Sequence, residues 1–137
     1  MGKPSKQTDR SLRHAFFHMG AAIRYSGQGL IAAVRLSLAF RQELVVFAVL
    51  CGLLALFHKP TGTWLLCLGV WSAVLVTELL NTAVEETLDL ISGEYSTVIR
   101  DAKDMCSAAV FILLILNAAT WIYIFWPDLL AALAGLS

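Results

Sequence analysis

The chain has 137 residues, of which 58% are hydrophobic and only 15% charged, with a mean hydropathy of +0.74. A soluble domain of this size has too little interior to bury so much apolar surface, so a bilayer is the simplest solvent for it. Ten Lys and Arg balance ten Asp and Glu, which argues against a polyanionic partner such as nucleic acid.

Residues 1–13 are rich in Lys, Ser and Arg and read as a polar tail, without the apolar core of a cleavable signal peptide. From 14 to 36 the pattern turns amphipathic. Phe17, Ala21, Ala22, Tyr25, Leu30, Ile31 and Val34 recur through it, and His18, Arg24, Gln28 and Arg35 supply the polar groups. This suits a helix lying in the membrane interface. His14 and His18 are four residues apart, a spacing zinc can use, but with no third ligand nearby they read as surface histidines.

A first span is expected over 38–57. It carries Arg41, Gln42 and Glu43 at its entry, and its uncharged part from Leu44 to Phe57 falls short of the roughly 20 residues needed to cross a bilayer. The polar entry must therefore sit at the interface or against other protein. Lys59-Pro60-Thr61-Gly62 reads as a turn. A second span is expected over 64–91, closed by Ser92-Gly93. Residues 93–104 read as a polar connection, and a third span over 105–126 ends at Pro127, leaving 128–137 as a tail. Trp64 and Trp126 bracket spans where interfacial aromatics belong. Cys51, Cys67 and Cys106 are odd in number and form no CxxC pair, so they read as small residues facing lipid or other helices.

Lys3, Lys6, Arg10, Arg13, Arg24, Arg35 and Arg41 precede the apolar part of the first span, and Arg100 and Lys103 lie in the 93–104 connection. The positive-inside rule places both regions in the cytoplasm, where ATP is available, and the Lys59 turn and the C-terminus outside.

Most acidic residues fall between 78 and 104. At roughly 100° per residue, Glu78, Asn81, Glu85 and Asp89 fall within an arc of about 80° on the second span, opposite Leu79, Leu80, Val84 and Leu88. Glu86 lies off this stripe; it and Asp89 could belong to a solvated helix end. Glu78 could not so easily, since it is only about 21 Å along the helix from Trp64. An unpaired carboxylate at membrane depth is expensive and marks a functional site by default. It can accept a proton from an alcohol, Glu85 can hold a hard divalent cation such as Mg²⁺, Asn81 can orient either partner, and Lys103 beside Asp104 can face a phosphate. Together they outline a phosphoryl-transfer site. No P-loop and no protein-kinase glycine motif is present.

The run Glu78-Leu79-Leu80-Asn81-Thr82-Ala83-Val84-Glu85, then Asp89, Glu94-Tyr95, Ala102-Lys103-Asp104-Met105 and Ser107-Ala108-Ala109-Val110, closely resembles the bacterial integral-membrane diacylglycerol kinase family, which includes the undecaprenol kinases. Tyr25-Ser26, Gly29-Leu30, Ala32-Ala33 and Phe40-Arg41-Gln42-Glu43 add to the resemblance, the last closer to the diacylglycerol branch. It covers about residues 18–127. It implies an all-α homotrimer of three-span subunits, each with an amphipathic surface helix, in the bacterial inner membrane with a cytoplasmic N-terminus. It also implies transfer of the γ-phosphate of ATP, with Mg²⁺, to the primary hydroxyl of diacylglycerol.

By this resemblance Glu78 is the general base, Asn81 assists, and Glu85 is a metal ligand at the nucleotide. His18, Tyr25, Glu94, Tyr95, Ser96, Lys103 and Asp104 line the nucleotide site. Ala22, Ile23, Arg24, Tyr25, Ser26, Ala39, Phe40, Arg41, Gln42, Glu43, Glu78 and Ser107 border the lipid. The chain departs from the family at several places. His18 stands where relatives often have Arg, Gly27 where they often have Trp, and Ser96-Thr97 replaces an HE-like pair. The family's second metal-binding glutamate, three residues before the Phe of FRQE, is here Ser37. Glu43, about 240° further round a helix, is a poor replacement for it. Readings that compete with the diacylglycerol kinase are a kinase for undecaprenol or another membrane alcohol, a catalytically weakened membrane scaffold or lipid-binding subunit, and a small transporter or proton-conducting oligomer.

Overall fold

The computed structural model describes the backbone of residues 6–91 and 96–135 and the side chains of 19–91 and 96–135. The described residues form four α-helices and no strand: α1 (Lys6–Leu36), α2 (Leu38–Leu56), α3 (Thr61–Ile91) and α4 (Thr97–Ala134). The last three are long and apolar enough to cross a membrane. The chain divides into two units, residues 1–36 and 37–137.

In the first unit the helix begins at Lys6, so it includes residues 6–13 of the expected polar tail. No proline interrupts Lys6–Leu36, and Lys, Gln, Arg, Ala and Leu are good helix formers. Met19, Ile23, Tyr25, Leu30 and Ile31 are exposed, and the Arg24 guanidinium lies 5.4 Å from the centre of the Tyr25 ring.

In the second unit Ser37 has an extended backbone (φ −95°, ψ 122°), and its hydroxyl accepts the Phe40 N–H at 2.9 Å. This is an N-cap, which satisfies one of the amides that a helix start leaves orphaned. It sets the boundary between α1 and α2. The far end of α2 closes with His58 at φ 47°. There the His58 N–H reaches the Ala55 carbonyl at 3.1 Å and the Lys59 N–H the Leu54 carbonyl at 3.0 Å, the paired bonds of a Schellman motif.

α3 begins at Thr61, a turn earlier than expected. Its 31 residues span about 46 Å, well beyond the roughly 30 Å hydrocarbon layer. The Thr77 and Thr87 hydroxyls donate back to the Ala73 and Ala83 carbonyls at 2.8 and 2.7 Å, so they leave no hydroxyl unsatisfied.

α4 departs most from expectation. Residues 97–104, expected as a connection, form its first turns behind Ser96, whose side chain makes no capping bond. No Gly or Pro interrupts Thr97–Asp104, so nothing local stops a helix there. Pro127 does not end the helix, which continues to Ala134. Proline removes one hydrogen bond and crowds the carbonyl four residues back. The neighbouring turn is held from outside: the Lys59 ammonium donates to the Ile124 carbonyl at 3.3 Å and pairs with the Asp128 carboxylate.

α3 packs chiefly on α4 and to a lesser extent on α2. Leu54, Cys67, Trp71, Val74 and Val110 form a narrow buried core. Within it Asn117, 2% exposed, donates to the Val70 and Leu113 carbonyls, each at 3.1 Å. Such polar contacts between membrane helices contribute about 0.6 kcal/mol on average. Most of each span is exposed in the isolated chain, as lipid-facing or subunit-facing surface requires.

Candidate active site

The acidic stripe on α3 runs from the interior of the unit to its surface. Glu78 and Asn81 are buried, at 4% and 8% exposure, Glu85 is half-buried, and Asp89 is exposed. The helical period brings the four to one side, and the packing of α3 against α2 and α4 covers only its inner end.

At that inner end the Ser37 hydroxyl donates to Glu78 Oε1 at 2.8 Å, and the Asn81 amide donates to Oε2 at 3.4 Å. Both donors are neutral. Among the described residues no Lys, Arg or His forms an ion pair with Glu78. The carboxylate is therefore held by neutral dipoles alone, a costly arrangement that marks a candidate functional site. Glu43 is also buried, at 8% exposure, and near enough to Glu78 for the two carboxylates to interact electrostatically. Glu43 Oε2, Asn81 Oδ1 and the Thr82 hydroxyl are buried without a hydrogen-bond partner among the described residues. Buried polar atoms are rarely left so; Trp71 Nε1, Asn117 Oδ1 and Trp121 Nε1, elsewhere on α3 and α4, share that state among the described residues.

At the outer end of the stripe the Lys103 ammonium on α4 contacts Asp89 Oδ1 at 2.5 Å. The pair joins the polar ends of α3 and α4. Glu85, between the two ends, makes no hydrogen bond or ion pair among the described residues. A half-buried carboxylate with unclaimed oxygens suits Mg²⁺, which takes one or two protein carboxylates and completes its shell with phosphate and water. Among the described residues no three His, Cys, Asp or Glu side chains converge into a cage made of protein alone.

The structure thus brings Glu78 and Asn81 together, with Ser37 as a third member, and places Phe40 (2% exposed) and Glu43 on the inner side of α2. Ala39, Arg41, Gln42, Asp104 and Ser107 are exposed, and Ser96 and Lys103 are half-buried. Ala22, Ile23, Arg24, Tyr25 and Ser26 are all exposed on α1. The His18 side chain and residues Glu94 and Tyr95 lie outside the described residues.

Two features were missed by sequence reasoning. Ser37 stood as a lost ligand, yet it contacts Glu78 directly; a serine immediately ahead of an apolar run is an N-cap signal that could have found it. The helical-wheel angle that set Glu43 apart from position 37 assumes a continuous helix through Ser37. With Ser37 extended that angle does not apply, and both residues lie buried within reach of Glu78. The Asp89–Lys103 pair was likewise unforeseen, because it joins two helices across a connection whose path spacing does not give.

Comparison with known proteins places this arrangement among relatives. Residues 24–125 match the family described as prokaryotic diacylglycerol kinase. The chain is 39% identical over 100 residues to the diacylglycerol kinase of Pseudomonas aeruginosa, covering 73% of this chain and 81% of that protein. It is 36% identical over 105 residues to the diacylglycerol kinase of Escherichia coli K12, covering 77% and 86%. With the diacylglycerol kinase of Haemophilus influenzae it shares 34% identity over 104 residues, covering 76% and 88%. The matched stretch contains Ser37, Glu43, Glu78, Asn81, Glu85 and Lys103.

Proposed function

The chain belongs to the prokaryotic diacylglycerol kinase family, and from that premise we propose that it is an ATP-dependent lipid kinase that converts diacylglycerol to phosphatidic acid in a bacterial membrane. The observation that carries the mechanism is Glu78: a carboxylate buried within a membrane-spanning helix and held by two neutral donors, Ser37 and Asn81.

In this reading Glu78 accepts the proton of the lipid's primary hydroxyl as its oxygen attacks the γ-phosphorus of ATP. A new P–O bond forms to the lipid, the bond between the γ-phosphorus and the bridging oxygen breaks, and ADP leaves with the electron pair. Asn81 keeps the Glu78 carboxylate aimed. Glu85 is the residue that would hold Mg²⁺ together with phosphate oxygens, and the ion when bound neutralises charge on the transferring group. Lys103, already turned toward the carboxylate stripe, supplies positive charge to the phosphates. His18, Tyr25, Glu94, Tyr95, Ser96 and Asp104 serve the nucleotide. Residues 22–26, Ala39 to Glu43 and Ser107 border the lipid. Three helices of one chain are too few to enclose both substrates, and the broad exposed apolar faces of α2 to α4 support a homotrimer with sites shared between subunits. The cluster of basic residues ahead of α2 supports a cytoplasmic N-terminus with α1 lying in the interface.

The test is transfer of labelled phosphate from ATP to diacylglycerol and to undecaprenol in detergent–lipid micelles, with magnesium titrated. Labelled phosphatidic acid is the expected product. Label on undecaprenol alone would keep the kinase but change its substrate, and label on neither lipid would overturn the reading.

A further inference from the structure

The one non-helical residue between α1 and α2 makes two hydrogen bonds through a single oxygen. Ser37 Oγ accepts the Phe40 N–H at 2.9 Å and donates its own hydrogen to Glu78 Oε1 at 2.8 Å. The two roles depend on each other. A hydroxyl can rotate, but once a lone pair is taken by the Phe40 N–H in the first turn of α2 its hydrogen is directed at one partner. Ser37 is 9% exposed and Glu78 is 4% exposed, so water competes poorly for either group. The bond is also the shortest that Glu78 makes, since Asn81 reaches Oε2 only at 3.4 Å.

We infer that Ser37 is a positioning residue for Glu78: the α2 N-cap fixes the serine hydroxyl, and the hydroxyl fixes the carboxylate so that Oε2 faces the incoming lipid alcohol. Ser37 touches neither substrate in this account and acts only through Glu78. A base must sit within hydrogen-bond reach of the proton it takes, and a misplacement of about 1 Å can cost about 100-fold in rate. The serine holds Oε1 at 2.8 Å while Asn81 reaches Oε2 only at 3.4 Å, so Oε1 is the firmly oriented oxygen and the more loosely held Oε2 is the one that meets the alcohol. The polar atoms without partners, Glu43 Oε2, Asn81 Oδ1 and the Thr82 hydroxyl, are then the groups available to receive the substrate.

This inference rests on the lipid-kinase reading of Glu78, and it is separable from the capping role by substitutions that remove the bond to Glu78 at different costs to the cap. Ser37→Gly removes the hydroxyl and its bond to Glu78 while weakening the cap by only a few tenths of a kcal/mol. Ser37→Ala removes both bonds. Ser37→Thr retains both. The measurement is steady-state phosphate transfer to diacylglycerol in micelles, corrected for folded enzyme by circular dichroism, with kcat and KM resolved for ATP and for lipid. The expected result is a drop in kcat of roughly 10- to 100-fold for both Ser37→Gly and Ser37→Ala, the scale of a hydrogen bond to a charged group. KM for ATP should stay within about twofold and Ser37→Thr should recover most of kcat. Ser37→Gly should melt near the wild type, which keeps the test valid even if Ser37→Ala folds poorly. Wild-type kcat in Ser37→Gly would show that the hydroxyl is not needed and would overturn the inference, as would wild-type kcat in Ser37→Ala. Absence of transfer by the wild-type chain is a different failure, that of the lipid-kinase reading itself.

Discussion

Glu78 and Lys59 are both charged groups drawn out of water, and their surroundings could hardly differ more. Lys59, in the turn before α3, pairs with Asp128, donates to the Ile124 carbonyl and lies 4.8 Å from the centre of the Phe125 ring. That ring meets Phe57 edge-on at 5.2 Å and stacks on Trp121 at 5.6 Å. Every strong interaction open to the ammonium is taken, and the cluster locks the α2–α3 turn to α4. Glu78 has two neutral donors and no cation among the described residues. A saturated charge ties elements of the fold together, whereas an uncompensated one is kept at a cost in stability. The difference sets a polar cluster whose charge is paired apart from one whose charge is not, and it is visible without reference to any relative.

Substitutions can break that comparison at either end. The largest effect should come from Glu78→Gln, which removes the base while keeping the hydrogen-bonding shape: transfer should fall by at least about 100-fold, read by labelled phosphate in the lipid product. Next is Lys103→Ala. Its ion pair with Asp89 is largely exposed, so stability should change by less than about 1 kcal/mol, whereas KM for ATP should rise on the order of tenfold if the ammonium serves phosphates. An unchanged KM would return Lys103 to a purely structural role. Lys59→Met should do the reverse. Leaving Asp128 without its partner should lower thermal stability by about 1–3 kcal/mol, with kcat per folded enzyme unaltered. The smallest effect belongs to His58→Gly. Relief of the left-handed backbone at φ 47° is offset by glycine's freedom in the unfolded chain, so the melting curve should shift by less than about 1 kcal/mol, with kinetics unchanged.

How far the sequence reveals this molecule depends on the range of the interactions involved. The three spans and the stripe of Glu78, Asn81, Glu85 and Asp89 follow from hydrophobic runs and the helical period, both local properties, and the structure reproduces the stripe with a gradient of burial along it. Pro127 carries a local stop signal that a distant residue overrides, since Lys59 is 69 positions away from Asp128 in sequence. The Ser37–Glu78 bond spans 41 positions and was hidden for a second reason. The family's glutamate at this position draws notice to the charge Ser37 lacks, whereas the hydrogen its hydroxyl donates shows only in the fold.

The central claim is that charge left uncompensated at Glu78 exists for catalysis and charge saturated at Lys59 exists for the fold. Turnover and thermal melting measured on the same preparations of Glu78→Gln and Lys59→Met test it most directly. The account predicts that Glu78→Gln loses phosphate transfer while melting at or above the wild-type temperature, and that Lys59→Met melts lower while keeping its kcat. Near-normal transfer by Glu78→Gln would contradict it.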